Sequence, residues 1–140
     1  MQVYLSNNMP KYMVDFTYFA MMYLGMDKLR GEIEVKLSKR NLAEESFGLC
    51  WGDRRECEVQ IASKQWGEPV SRENKLKTIA HELTHAHQYF TGRLKAKDDV
   101  QWKGDQIEYD VKDEESMPWE VEAREYEEEI YQAWKKQNEL

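Results

Sequence analysis

The chain has 140 residues, 41% of them hydrophobic and 34% charged, with a formal net charge of −7. This is one soluble globular domain, residues 1–140, long enough to bury a core. The acidic balance argues against a nucleic-acid partner, which needs clustered Lys and Arg. The longest uncharged run of the first helix, Phe16 to Met26, is about half a membrane span, so no membrane partner is expected. Two cysteines and no secretory leader lead to the expectation of a reducing, cytoplasmic setting.

Gln2 to Ser6 can form a short strand. Asn7-Asn8-Met9-Pro10 reads as a helix entry, and Tyr12, Phe16, Phe19 and Tyr23 recur at helical spacing, which predicts a well-buried helix from Pro10 to about Leu29. Gly31 breaks it. Glu32-Ile33-Glu34-Val35-Lys36-Leu37 alternates strictly, as a half-buried strand does. Phe47 to Trp51 and Glu56 to Ala62 then read as a hairpin around Gly52-Asp53-Arg54-Arg55. A tight turn there sets Cys50 opposite Cys57, and two reduced, packed thiols are expected. Trp66 to Val70 is a connector.

The next helix carries the chemistry. Ser71 is its expected N-cap and Gly92 its stop. Leu76, Ile79, Leu83, Ala86 and Phe90 share one stripe, while His81 and His85 point the other way. The stretch His81-Glu82-Leu83-Thr84-His85 places two imidazoles one turn apart on one face, able to share a metal ion. Glu82 lies about 100° round the helix from His81. It flanks the ion instead of binding it, where a carboxylate can accept a proton from bound water. His87 faces the apolar side and reads as a structural, hydrogen-bonded histidine.

Between Arg93 and Ser116 the pattern is weak, with a small hairpin expected over Val100–Gly104 and Gln106–Tyr109. A last helix runs from Met117-Pro118-Trp119-Glu120 to about Gln137, with Ala123, Tyr126, Ile130 and Trp134 on its packing face. Catalytic zinc keeps three protein ligands and one open position. With His87 turned away, the third ligand must come from elsewhere. Glu120 and Glu122 sit at opposite edges of the packing stripe, and periodicity does not separate them. The other glutamates of this helix read as a solvated acidic face.

The zinc-helix motif followed by Pro118-Trp119-Glu120-Val121-Glu122-Ala123 resembles the small gluzincin-type metallopeptidases, the ImmA/IrrE-like and SprT-like zinc proteins of bacterial and phage genomes. The resemblance covers roughly the last half of the chain. It implies a zincin-like α+β fold: an N-terminal helix, a small and mostly antiparallel sheet, the active-site helix and a C-terminal glutamate helix. It favours Glu120 as third ligand, with small Ala123 three positions on. Phe90 stands where SprT-like proteins carry a third histidine. Gln88 and Thr91 depart from the metzincin pattern. Arg124 stands where some gluzincins carry an acidic partner of the histidines, which leaves that support undefined.

The activity implied is hydrolysis of a protein or peptide substrate, with Zn²⁺ on His81, His85 and Glu120 and with Glu82 as general base. Tyr109, Tyr126, Tyr131 and Arg124 are the expected transition-state donors. The substrate strand is expected to lie along an exposed sheet edge, Glu56 to Ser63. The alternative is a zincin-fold zinc-binding module without activity, serving as an adaptor or inhibitor.

Overall fold

The structure is a computed structural model that describes residues 1–96, 99–108 and 111–139. It is an α+β fold of three α-helices and small sheets. Strand β1 (Gln2–Leu5) is followed by helix α1 (Lys11–Tyr23), strands β2 (Glu32–Ser38), β3 (Gly48–Gly52) and β4 (Glu56–Ala62), and the short strands β5 (Lys64–Gln65) and β6 (Glu68–Pro69). Helix α2 (Arg72–Phe90) leads to β7 (Leu94–Lys95), β8 (Gln101–Trp102) and β9 (Asp105–Gln106), and helix α3 (Pro118–Asn138) closes the chain. Among the described residues, no helix is long and apolar enough to cross a membrane.

The main sheet has the order β1-β2-β4-β3. Its β1/β2 and β2/β4 ladders are parallel, and only β3/β4 is antiparallel. The expected mostly antiparallel sheet is therefore corrected. A helix separates β1 from β2 and the β3 hairpin separates β2 from β4, and such long crossovers permit parallel pairing. The order also moves the edge. Strand β4 pairs on both sides, so Glu56 to Ala62 is interior to the sheet, and β1 and β3 are its edge strands.

The hairpin register is Cys50 with Val59 and Gly52 with Cys57. Cys50 therefore does not face Cys57 directly: four residues, Asp53 to Glu56, lie between the paired Gly52 and Cys57, and the Asp53 N–H donates to the Glu56 carbonyl at 2.9 Å. Asp53 caps that loop through Oδ1, which accepts from the backbone N–H groups of Arg55 and Glu56 at 2.8 and 3.0 Å. Both thiols are free, as expected. Burial, with Cys57 next, holds the Cys50 thiol well above its usual pKa.

The core lies between one face of the main sheet and the helices. Met13, Phe16 and Ala20 of α1, Ile33, Val35, Val59 and Ile61 of the sheet, Ile79, Leu83 and Ala86 of α2, and Ile130 of α3 are all essentially inaccessible. Each buried Ile, Leu or Phe removes apolar surface worth about 1.5–3 kcal/mol. Helix α1 stops at Tyr23, short of Leu29, because Gly25 takes a left-handed φ of 71° and turns the chain. Its outer face stays open at Tyr18 and Met22, so it is less buried than its composition predicts. Asn8 does not cap it; the Asn8 amide donates to the Leu37 carbonyl at 3.0 Å, and Pro10 stands at the N-cap.

The connector at 64–69 is itself a tight hairpin that turns at Trp66 and Gly67, both at positive φ. Ser71 caps α2 by accepting from the Asn74 N–H at 3.1 Å, and Gly92 follows its C-terminus at φ 73°, as expected. The weak region forms the three-stranded β7-β8-β9 sheet. It encloses a second small cluster, Leu94, Met117 and Trp119, beside the N-terminus of α3.

Candidate metal centre

Helix α2 buries its Leu76–Phe90 stripe on the sheet, which turns His81 and His85 toward α3. Their ring centroids are 4.9 Å apart. Pro118 opens α3 and sets Glu120 in its first turn. One Glu120 oxygen lies 2.9 Å from His85 Nε2 and the other 3.1 Å from His81 Nε2. One ligand atom from each of His81, His85 and Glu120 lies within 4.8 Å of the others, and this group can hold a metal ion. Periodicity left Glu122 as the rival; the structure turns it away. Both Glu122 oxygens accept from Arg93 at 2.8 Å, and one also accepts from Gln88 Nε2 at 3.2 Å.

No family model matches the chain, and no curated protein matches it.

The hydrogen bonds behind the histidines fix which nitrogen faces the centre. His81 Nδ1 lies 2.7 Å from Glu127 Oε1. A carboxylate only accepts, so Nδ1 carries the hydrogen and donates. His85 Nδ1 lies 2.9 Å from Gln88 Oε1. The Gln88 amide cannot be reversed, because its Nε2 already donates to the Trp119 carbonyl at 3.0 Å and to Glu122. Its oxygen therefore accepts from His85 Nδ1. In the neutral form both histidines then present a bare Nε2 lone pair to a third acceptor, the Glu120 carboxylate. Three acceptors converging at hydrogen-bond distance repel unless a proton or a cation sits among them. Two imidazoles and a carboxylate are a donor set that divalent transition ions accept.

The charges follow. Burial opposes charge on His81, but hydrogen bonds to Glu120 and Glu127 and the nearby Glu82 charge outweigh it and raise its pKa to about 10. His85 is raised in the same way, with Glu120 its main support. Burial works against the Glu120 carboxylate, yet the two histidines hold its pKa well below the usual range.

Glu82 is buried beside this group, and its Oε2 has no hydrogen-bond partner among the described residues. Burial pushes its pKa up, against the pull of His85 and His81. A buried carboxylate oxygen left without a partner costs roughly 1–3 kcal/mol. Such a group suits proton transfer, and it faces a cleft of about 770 Å³. The cleft runs between the edge strand β3 and α3, with Gly48, Cys50, His81, Glu82, Glu120 and Trp119 among its walls. Gly48 lets the strand come this close: a Cβ there would lie 2.5 Å from Thr78 Cγ2 and 2.9 Å from Glu82 Cγ.

Of the expected transition-state donors among the described residues, only Arg124 lines the cleft. Its guanidinium donates to the Glu115 carbonyl and so ties down the approach to α3. Tyr126 packs against the main core, and Tyr131 lies under the ammonium groups of Lys77 and Lys135, away from the cleft. Tyr109 lies outside the described residues. His87 is a structural histidine, as expected: its Nδ1 accepts from Arg93 at 2.9 Å, and burial and the Arg93 charge lower its pKa.

Three residues escaped the sequence reading. Glu127 belongs to the site and not to a solvated face, and Glu120 seven positions earlier is the signal, two turns back on the same stripe. Gln88, three residues after His85, could have been found by the same spacing. Tyr89, four residues after His85, lines the cleft.

Proposed function

We propose that the chain is a zinc-dependent metallopeptidase of the zincin-like, gluzincin type. The observation that carries this reading is the convergence of His81 Nε2, His85 Nε2 and the Glu120 carboxylate, with both Nδ1–H groups already committed to Glu127 and Gln88. The arrangement presents ligands of the right type from two helices and leaves Glu82 beside them.

His81, His85 and Glu120 would hold the zinc ion, which would supply Lewis acidity and water activation near neutral pH. The residues do the rest. Glu127 and Gln88 hold the imidazoles in one tautomer and raise their basicity as ligands. Glu82, kept basic by burial, accepts the proton of the attacking water and passes it to the leaving amine. The outer backbone groups of β3 offer an unpaired edge beside the site, on which an extended peptide can add as a further strand. That role falls to Gly48–Gly52 and not to the interior strand β4.

The test is Glu82→Gln. The variant should bind zinc like the wild type and lose peptide hydrolysis by about 10²-fold or more. Hydrolysis at the wild-type rate would remove Glu82 from this role.

A further inference from the structure

Tyr89 is an aromatic clamped on both sides. It packs against the main core and against the small Leu94–Met117–Trp119 cluster. Its ring position is therefore set by apolar contacts, which a phenylalanine would satisfy equally. The hydroxyl is not explained by that packing. It has no hydrogen-bond partner among the described residues, and its oxygen is not sealed in the interior. Instead the side chain lines the cleft with His81, Glu82, His85 and Glu120.

Spacing places it well. Tyr89 follows His85 by four residues, so the two share a face of α2. Four residues rise about 6 Å along a helix. Long helical side chains lean toward the N-terminus, so the phenol leans back toward the level of His85. Burial, then the nearby Cys50, Cys57, Glu82 and Glu120, hold its pKa far above the usual tyrosine value, which keeps the proton on the oxygen.

We propose that the Tyr89 hydroxyl is the hydrogen-bond donor to the substrate carbonyl oxygen as it becomes an oxyanion; no other tyrosine among the described residues lines the cleft. This rests on the peptidase reading. A rigid ring carrying an unclaimed donor has the preorganisation such stabilisation needs, because no protein hydrogen bond must be broken to use it.

Tyr89→Phe keeps the ring and removes the donor. Zinc content and thermal stability should stay at wild-type values, while kcat for a peptide falls about 10²-fold with KM little changed. A second readout does not need turnover. In the cobalt(II)-substituted protein, dimethylphosphinate, a tetrahedral anion, can be titrated by visible absorption. The variant should bind it about tenfold or more weakly, as loss of a hydrogen bond to a charged group requires, while imidazole binds both proteins alike. Equal phosphinate affinity and equal kcat in the two proteins would overturn the proposal and leave the peptidase reading intact. A metal-loaded wild type that neither cleaves peptides nor binds phosphinate would overturn both.

Discussion

Glu127 stands behind His81, its carboxylate accepting from Nδ1 at 2.7 Å, while Glu120, two turns earlier on the same helix, meets the opposite nitrogen of the same ring. One helix thus carries both the carboxylate that meets the two histidines and the one that orients the His81 ring. Glu127→Ala should weaken zinc binding by about 10–100-fold, the usual cost of removing such a partner, while the protein stays folded. Competition against a chromophoric chelator measures this. Unchanged affinity would show that packing alone orients the His81 ring.

The ion-free protein should show an inverted pH response. His81 has its pKa raised from 6.5 to about 10 on folding, so its contribution to stability is complete below pH 6.5 and is lost as pH rises toward 10. Glu120 has its pKa depressed from 4.5, so its contribution is present above pH 4.5 and is lost at lower pH. Protein stripped by a chelator should therefore melt highest between these two values and at lower temperature on going to pH 9.5. Zinc must displace the protons, so the stabilisation it adds should grow from pH 5 to pH 8. Glu120→Gln removes the main support of the His81 charge and should flatten the alkaline decline. Melting curves with chelator and with zinc decide this. A chelated wild type whose decline matches that of Glu120→Gln would contradict it.

Gly48 sets the distance between strand β3 and the Glu82 side chain. Gly48→Ala puts a methyl group against Thr78 and Glu82. The strand must move or the helix side chains must yield, at a cost of about 1–3 kcal/mol. We expect a lower melting temperature and a larger loss in peptide turnover than in zinc affinity, since His81, His85 and Glu120 lie outside the clash. Wild-type turnover in this variant would mean that β3 does not position the substrate.

Much of this was readable in advance where one physical signal dominated. The α2 stripe and the turn of His81 and His85 away from it follow from helical periodicity, the Ser71 cap and Gly92 stop from local residue chemistry, and the structure keeps all of them. The choice of Glu120 over Glu122 did not follow, because the two flank the packing stripe equally. Arg93 settles it by capturing Glu122, and a contact between residues 29 apart leaves no local trace. Sheet order was hidden for a related reason. Alternation in β2 and β4 reports which face is buried, not which neighbour is paired or in which direction. The hairpin register differs because the turn closes between Asp53 and Glu56, one position further along than a tight turn after Gly52, with the Asp53 side chain holding it. Glu127 was hidden among six glutamates of similar appearance, and only its reach across to α2 distinguishes it.

The central claim is that His81, His85 and Glu120 together hold one zinc ion, and metal analysis of protein purified without chelator or nickel resin tests it most directly. The account predicts about one equivalent of zinc by mass spectrometry, reduced to near zero in a His81→Ala, His85→Ala double variant. Less than about a tenth of an equivalent in the wild type, with no uptake when Zn²⁺ is added, would contradict it.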